Sequence, residues 1–139
     1  MHQAAILFPV IALAAWTFAV LMLIPYQRFK AVLNKQISGA DFKFGESANV
    51  PPHVSIPNRN LMNLLEMPVL FYVACLMLYV THTASSVVLM LAWIYMALRI
   101  MHSLVHLTYN NVIHRLVFFA GSNLVLLAIW IAFSMALAA

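Results

Sequence analysis

The sequence has very little charge. Only 7% of its 139 residues are Asp, Glu, Lys or Arg, whereas 65% are apolar and the mean hydropathy is +0.97. A typical soluble domain is about 25% charged and roughly 45–50% apolar, and soluble monomers rarely expose the large apolar patches that this chain would leave in water. The composition therefore excludes a soluble globular protein and a disordered one, and it indicates an integral membrane protein.

Cysteine is also scarce, and the basic residues are thinly spread. Cys75 is the single cysteine, so the chain has no internal disulfide. The net charge of +4 would favour a nucleic-acid partner only if the basic residues formed a patch. They are instead scattered among apolar runs, and we expect no nucleic acid as a partner.

Four apolar runs are long enough to cross a bilayer, which takes ~20 residues per helix. We predict spans at about residues 4–24, 60–80, 86–107 and 115–138. Together they predict one all-α membrane domain over residues 1–139, a bundle of four transmembrane helices. The first run is interpreted as a span and not a signal peptide, because no basic residue precedes it and it exceeds an h-region of about 7–15 residues.

The charged residues predict how the bundle is oriented. We expect Pro25 to end the first helix, and residues 25–58 to form a loop with a short interfacial helix at its start. One side of the bundle then carries six Lys and Arg residues: Arg28, Lys30, Lys35, Lys43, Arg59 and Arg115. The opposite side carries none. By the positive-inside rule, the loop is cytoplasmic and both termini face outward, and we expect a bacterial inner membrane.

Glu66 and Arg99 are charged residues well inside predicted spans, where a charge is costly and marks a functional site by default. Glu66 lies seven residues past Arg59, roughly 10 Å below the cytoplasmic end of its helix. Arg99 lies at a similar depth on the next, antiparallel helix. Their matching depths predict an ion pair between Glu66 and Arg99.

Polar residues also form one stripe on each of three helices, at the spacing that places residues on one helical face. The stripes are Arg59, Asn63 and Glu66 on the second span; Tyr95, Arg99, His102, His106 and Asn110 on the third; and Arg115, Phe119 and Ser122 on the fourth. The other faces are almost purely apolar. The three stripes predict a hydrated cleft that opens to the cytoplasm.

Two other interpretations of these residues stay open at this point. The Glu66–Arg99 pair would serve a purely structural role if it only fixed the register of the helices. His102 and His106 have the i, i+4 spacing of a metal-ligand pair, with Glu66 as a possible third ligand, or they would hold a haem. Arg99 lies one turn from His102 on the same face, and its charge would repel a cation, so we predict no metal site.

The motifs resemble those of the MAPEG family, the membrane-associated proteins in eicosanoid and glutathione metabolism. Arg59-x3-Asn63-x2-Glu66, followed by Pro68, is similar to the second-helix signature of that family. Arg99-x2-His102-x3-His106, with Arg115 further on, is similar to its third- and fourth-helix pattern. Four spans and a long first cytoplasmic loop extend the resemblance over nearly the whole chain.

The resemblance implies a homotrimer that binds glutathione as co-substrate in clefts between subunits, near the cytoplasmic side. Carried over by position, it implies that Arg115 stabilises the glutathione thiolate. It also implies that the remaining site residues bind glutathione: Arg28, Arg59, Asn63, Glu66, Arg99, His102 and His106. The implied activity is that of a glutathione transferase or peroxidase acting on lipophilic electrophiles that arrive from the bilayer.

The chain departs from the family pattern around the thiol position. His106 and Phe119 stand where several members have tyrosine, Leu116 replaces a serine, and Pro68 follows the glutamate one residue sooner. The first three differences remove hydroxyl donors. The family also includes a member that binds lipid without catalysis, so the alternative function is a non-catalytic protein that binds a lipid or a partner.

Overall fold

The computed structural model describes residues 3–138, which are helical apart from the connecting segments and contain no β-strand. A 3₁₀ turn at Gln3–Ile6 leads into α1 (Leu7–Leu33). After a loop with a 3₁₀ turn at Gly39–Phe42 come α2 (Pro52–Leu65), α3 (Met67–Val80), α4 (Ser86–Leu107) and α5 (Val112–Ala138). Four segments are long and apolar enough to cross a membrane: Gln3–Leu33, Pro52–Val80, Ser86–Leu107 and Val112–Ala138. The chain is thus an all-α membrane bundle.

The first helix is longer than predicted, because Pro25 lies inside α1 and does not end it. A proline removes one backbone hydrogen bond, but membrane helices tolerate this loss where neighbouring groups re-satisfy the backbone. The predicted loop of residues 25–58 is also shorter at its C-terminal end, because α2 begins at Pro52. The N–H that proline lacks would have no helical partner in the first turn, so proline is tolerated there. The loop between helices therefore covers residues 34–51 instead of 25–58.

The loop between α1 and α2 is folded around a small core of its own. Ile37 and Val50 from the loop are buried against Ala31 of α1 and Val54 of α2, and Phe42 packs on them. Asp41 accepts hydrogen bonds from the backbone N–H of Ser38 (2.8 Å) and the hydroxyl of Ser47 (2.8 Å). These bonds, the Ser38 backbone bond above all, hold the pKa of Asp41 below its ordinary value of 3.8. The loop is therefore folded against α1 and α2.

The main core lies between the spans and is almost entirely apolar. Leu13 and Val20 of α1, Phe71 of α3, Tyr95 of α4 and Ile129 of α5 belong to one buried cluster. The outward faces are apolar as well, with Phe18, Leu124 and Met135 each more than 60% exposed. Apolar side chains on the outside are what a lipid-facing surface requires.

One polar network crosses this core. The hydroxyl oxygen of Ser103 on α4 accepts hydrogen bonds from Trp16 Nε1 of α1 (2.8 Å) and from Asn60 Nδ2 of α2 (2.6 Å). Ser103 and Asn60 are both fully buried. Because an unpaired donor has no water to turn to in an apolar interior, this one hydroxyl ties three helices together.

We expect Ser103→Ala to destabilise the bundle by roughly 1–2 kcal/mol, because it leaves the donors of buried Asn60 and half-buried Trp16 without an acceptor. Denaturation in mixed detergent micelles, followed by circular dichroism, measures the change. Ser134→Ala is the matched control, since the Ser134 hydroxyl is exposed and bonds only to the Trp130 carbonyl of its own helix. Equal effects of the two substitutions would contradict the assigned role of Ser103.

Candidate functional site

A break in the second span shapes the candidate site. α2 ends at Leu65 and α3 begins at Met67, with Glu66 between them at φ −86° and ψ −96°. Pro68 causes the break, because it has no N–H for the Leu64 carbonyl and its ring crowds that carbonyl in a continuous helix. The predicted second span, residues 60–80, is therefore two helices that meet at Glu66.

Arg99 of α4 fills the gap that the break opens. It is fully buried, and its Nη2 donates a hydrogen bond to the backbone carbonyl of Asn63. Its guanidinium carbon also lies 5.6 Å from the centre of the Phe119 ring of α5. Arg99 thus contacts the second and fourth spans at once.

The predicted ion pair between Glu66 and Arg99 is not formed. Within residues 3–138, the salt bridge closer than 4.0 Å is the one between Arg28 and Glu46. The Arg99 guanidinium is directed to the Asn63 carbonyl, whereas Glu66 is exposed at the break. Matching depths on two helices were not sufficient to predict the pair, because the backbone break supplied the arginine with a different acceptor.

Most of the predicted site residues line two adjoining cavities. The first, which we call the polar cavity, has a volume of about 320 Å³ and is lined by Ile56, Arg59, Met62, Asn63, Glu66, His106, Asn110 and Arg115. The second, the apolar cavity, has a volume of about 250 Å³ and is lined by Asn63, His102, Val112, Arg115, Leu116 and Phe119. Asn63 and Arg115 belong to both, so these two residues stand where the cavities meet.

Arg115 is positioned by the turn between α4 and α5. Asn110 takes the left-handed conformation (φ 49°), which asparagine adopts more readily than most residues. Asn111 then caps α5, its side-chain oxygen accepting from the N–H groups of Ile113 (3.0 Å) and His114 (3.1 Å). Arg115 Nη1 donates to Asn110 Oδ1 at 2.9 Å. The two asparagines therefore set both the start of α5 and the direction of the arginine.

The two predicted histidines lie side by side on α4, with ring centres 6.2 Å apart. His102 Nδ1 lies 2.9 Å from the Arg115 carbonyl oxygen. A carbonyl only accepts, so Nδ1 carries a proton and donates to it. His106 lines the polar cavity instead. Residues 3–138 contain no group of three or more His, Cys, Asp or Glu placed to share a metal ion.

Arg28 and Arg99 do not line either cavity. Arg99 lies behind the cavity wall, because its guanidinium is turned to the Asn63 carbonyl. Arg28 Nη2 lies 3.1 Å from Glu46 Oε1, and its guanidinium carbon lies 4.4 Å from the centre of the Phe42 ring. Within the described chain, Arg28 therefore holds the loop of residues 34–51 against α1.

The network of Trp16, Asn60 and Ser103 was missed by the sequence analysis. The signal was present, because Asn60 and Ser103 are polar residues inside apolar runs and each stands next to a predicted site residue. Their partners were not predictable, since Trp16 comes from a helix that showed no polar stripe.

The comparison with known families agrees with the motifs and the fold. A profile of the MAPEG family matches residues 6–135, a range that includes every predicted site residue, the second and third spans and most of the first and fourth. The chain belongs to the MAPEG family. It is thus a membrane protein of the group associated with glutathione and eicosanoid metabolism. No curated protein and no solved structure matches it.

The contacts of Arg28 in this MAPEG protein give a testable prediction. Arg28→Ala loses both the ion pair and the contact with Phe42, whereas Glu46→Ala loses only the ion pair. The partly exposed ion pair stabilises by about 1 kcal/mol or less, and the cation–π contact adds about 0.5–1 kcal/mol. We expect amide hydrogen exchange over residues 39–50 to accelerate about five-fold or more in Arg28→Ala, and less in Glu46→Ala. Unchanged exchange in Arg28→Ala together with weaker glutathione binding would place Arg28 at the ligand.

Proposed function

We propose that this protein is a membrane-bound glutathione-dependent transferase or peroxidase for lipophilic electrophiles, and that Arg115 stabilises the glutathione thiolate. The observation that carries the proposal is that Arg115 lines both the polar and the apolar cavity. A thiol held in the polar cavity would meet an apolar electrophile at this residue.

The polar cavity suits the charges of glutathione, which has two carboxylates, one ammonium group and one thiol. Arg59 and Arg115 supply guanidinium groups, whose forked donors match carboxylates. Glu66 supplies the one carboxylate in the lining and suits the ammonium group. Asn63, His106 and, from the adjoining cavity, His102 add further polar groups. We propose that these residues bind the peptide.

Arg115 also has the chemistry that activation of a thiol needs. A free thiol with a pKa of about 8.5 is mostly protonated at neutral pH, and a neighbouring cation stabilises the reactive thiolate. Arg115 stays cationic, and its bond to Asn110 fixes its direction. Its position beside an apolar cavity strengthens the attraction, because charges interact more strongly where water is excluded.

We further propose that the protein acts as a homotrimer with the cavities between subunits. Val112 and Leu116 at the apolar cavity are 73% and 61% exposed in the single chain, so this cavity suits cover by a neighbouring subunit or by lipid. The excess of Lys and Arg near residues 34–51 and Arg115 supports a cytoplasmic polar cavity and outward termini. A bacterial inner membrane remains our prediction for its location.

The first test concerns the thiolate. We expect Arg115→Ala to lower conjugation of a hydrophobic electrophile by about 100-fold or more, as the loss of one transition-state donor does in other enzymes. Ultraviolet absorbance of the thiolate, followed as glutathione is added in detergent, should saturate in the wild type and not in Arg115→Ala. Lys30→Ala, an exposed cation on α1, is the matched control. Unchanged turnover in Arg115→Ala would remove Arg115 from this role.

The second test concerns the ammonium group of glutathione. Glu66→Gln removes the carboxylate that we assign to it, and bonds between charged partners contribute about 1.5–3 kcal/mol. We therefore expect glutathione to bind roughly 10- to 100-fold more weakly by calorimetry, with kcat at saturation changed much less. Circular dichroism and particle size in detergent check that the bundle is intact. An unaltered affinity would refute the assignment of Glu66.

One observation favours the second candidate function, binding of a lipid or a partner without catalysis. None of the described residues that line the apolar cavity carries a hydroxyl group, although a hydroxyl donor beside Arg115 would help to hold a thiolate. Tight binding of a fatty-acyl lipid to the purified protein, with neither heat of glutathione binding nor thiolate absorbance, would establish this function instead.

A further inference from the structure

The fully buried arginine of α4 does not line either cavity, so its presence in a membrane span needs a separate explanation. Arg99 is 0% exposed and lies in a membrane-spanning helix, where a charge is costly unless it is used. Neither the polar nor the apolar cavity has Arg99 in its lining. Its one hydrogen bond in the described chain goes to the backbone carbonyl of Asn63.

We propose that Arg99 is a positioning residue, which holds the broken second span in the shape that presents Asn63 and Glu66 to the polar cavity, without touching the ligand. This inference rests on the proposed function of the polar cavity as the glutathione site. It differs from the role implied by family resemblance, in which Arg99 binds glutathione.

The break explains why an arginine is needed at this point. In a continuous helix the Asn63 carbonyl accepts from the N–H four residues later, which belongs to Met67. Here α2 ends at Leu65 and α3 begins at Met67, and the N–H of Val69 reaches only as far as the Glu66 carbonyl (3.2 Å). The carbonyl of Asn63 accepts from Arg99 instead. A backbone carbonyl without a partner is costly in a membrane wherever water does not reach it, so the hydrogen bond from Arg99 stabilises the broken form.

The position of Arg99 also links the two walls of the site. Asn63, whose carbonyl it binds, and Glu66 come from the second span. Phe119, whose ring it faces at 5.6 Å, lies one turn beyond Arg115 on α5. Arg99 therefore fixes the wall that carries Glu66 relative to the wall that carries Arg115. A small misplacement of such groups lowers binding and rate by large factors.

The experiment is a double-mutant cycle on glutathione affinity, measured by calorimetry on the full chain in detergent. We expect Arg99→Gln to weaken glutathione binding roughly 10- to 100-fold. If Arg99 acts by placing Glu66, most of that factor should disappear in a Glu66→Gln background. It should persist in an Arg59→Ala background, because Arg59 lies outside the break. Equal factors in all three backgrounds would show direct contact with the ligand and overturn the proposal, as would normal affinity in Arg99→Gln.

Arg99→Lys decides the matter if Arg99→Gln fails to fold. A lysine can donate one hydrogen bond to one carbonyl, but it cannot form the forked pair that an arginine makes with a carboxylate. If Arg99 is a positioning residue, Arg99→Lys should retain glutathione affinity within about three-fold. Its kcat should equal that of the wild type. A folded Arg99→Lys protein that binds at least ten-fold more weakly overturns the proposal. Absence of glutathione binding by the wild type would instead refute the proposed function.

Discussion

The absence of an N–H group at Pro68 is the constraint on which the site depends. It interrupts the second span inside an apolar environment, where every backbone polar group needs an internal partner. The chain meets that need with the buried guanidinium of Arg99, which binds the Asn63 carbonyl. Glu66, at the break itself, is then free to face the polar cavity. The break that Pro68 causes thus leaves the Asn63 carbonyl to the buried guanidinium of Arg99 and places the Glu66 carboxylate at the cavity.

The arginines near the polar cavity and the loop of residues 34–51 have two different roles. Arg28 is engaged with Glu46 and Phe42 and holds the loop of residues 34–51 in place. Arg59 and Arg115 line the polar cavity, where the described lining contains a single carboxylate, that of Glu66. The polar cavity therefore has more cations than carboxylates and suits an anionic ligand. The loop carboxylate of Glu46 is paired with Arg28 and not with the arginines of the cavity.

The periodicity of polar and apolar residues predicted much of this arrangement. It did not predict features that depend on the local chemistry of single residues. The third span was predicted at residues 86–107, the limits of α4, because its apolar run is bounded by turn residues on both sides. The stripes of the second and third spans brought Asn63, Glu66 and His106 to one cavity, as expected. Sequence did not reveal that Pro25 would be tolerated inside α1, since that depends on whether neighbouring groups re-satisfy the backbone of the helix. Nor did it reveal the acceptor of Arg99, which exists only because the backbone opens nearby.

The meeting of a polar and an apolar cavity at Arg115 gives a physical reason for placing such a site in a membrane. A charged peptide is soluble in water and a lipophilic electrophile is soluble in the bilayer, so neither reaches the other efficiently in one phase. Val112, Leu116 and Phe119 make one side of Arg115 apolar, whereas Asn110 and Glu66 make the other side polar. In the function that we propose, the guanidinium at this boundary would stabilise a thiolate beside the apolar walls. With no hydroxyl among the described residues of the apolar cavity, that stabilisation would rest mainly on Arg115 and on the residues that fix its direction.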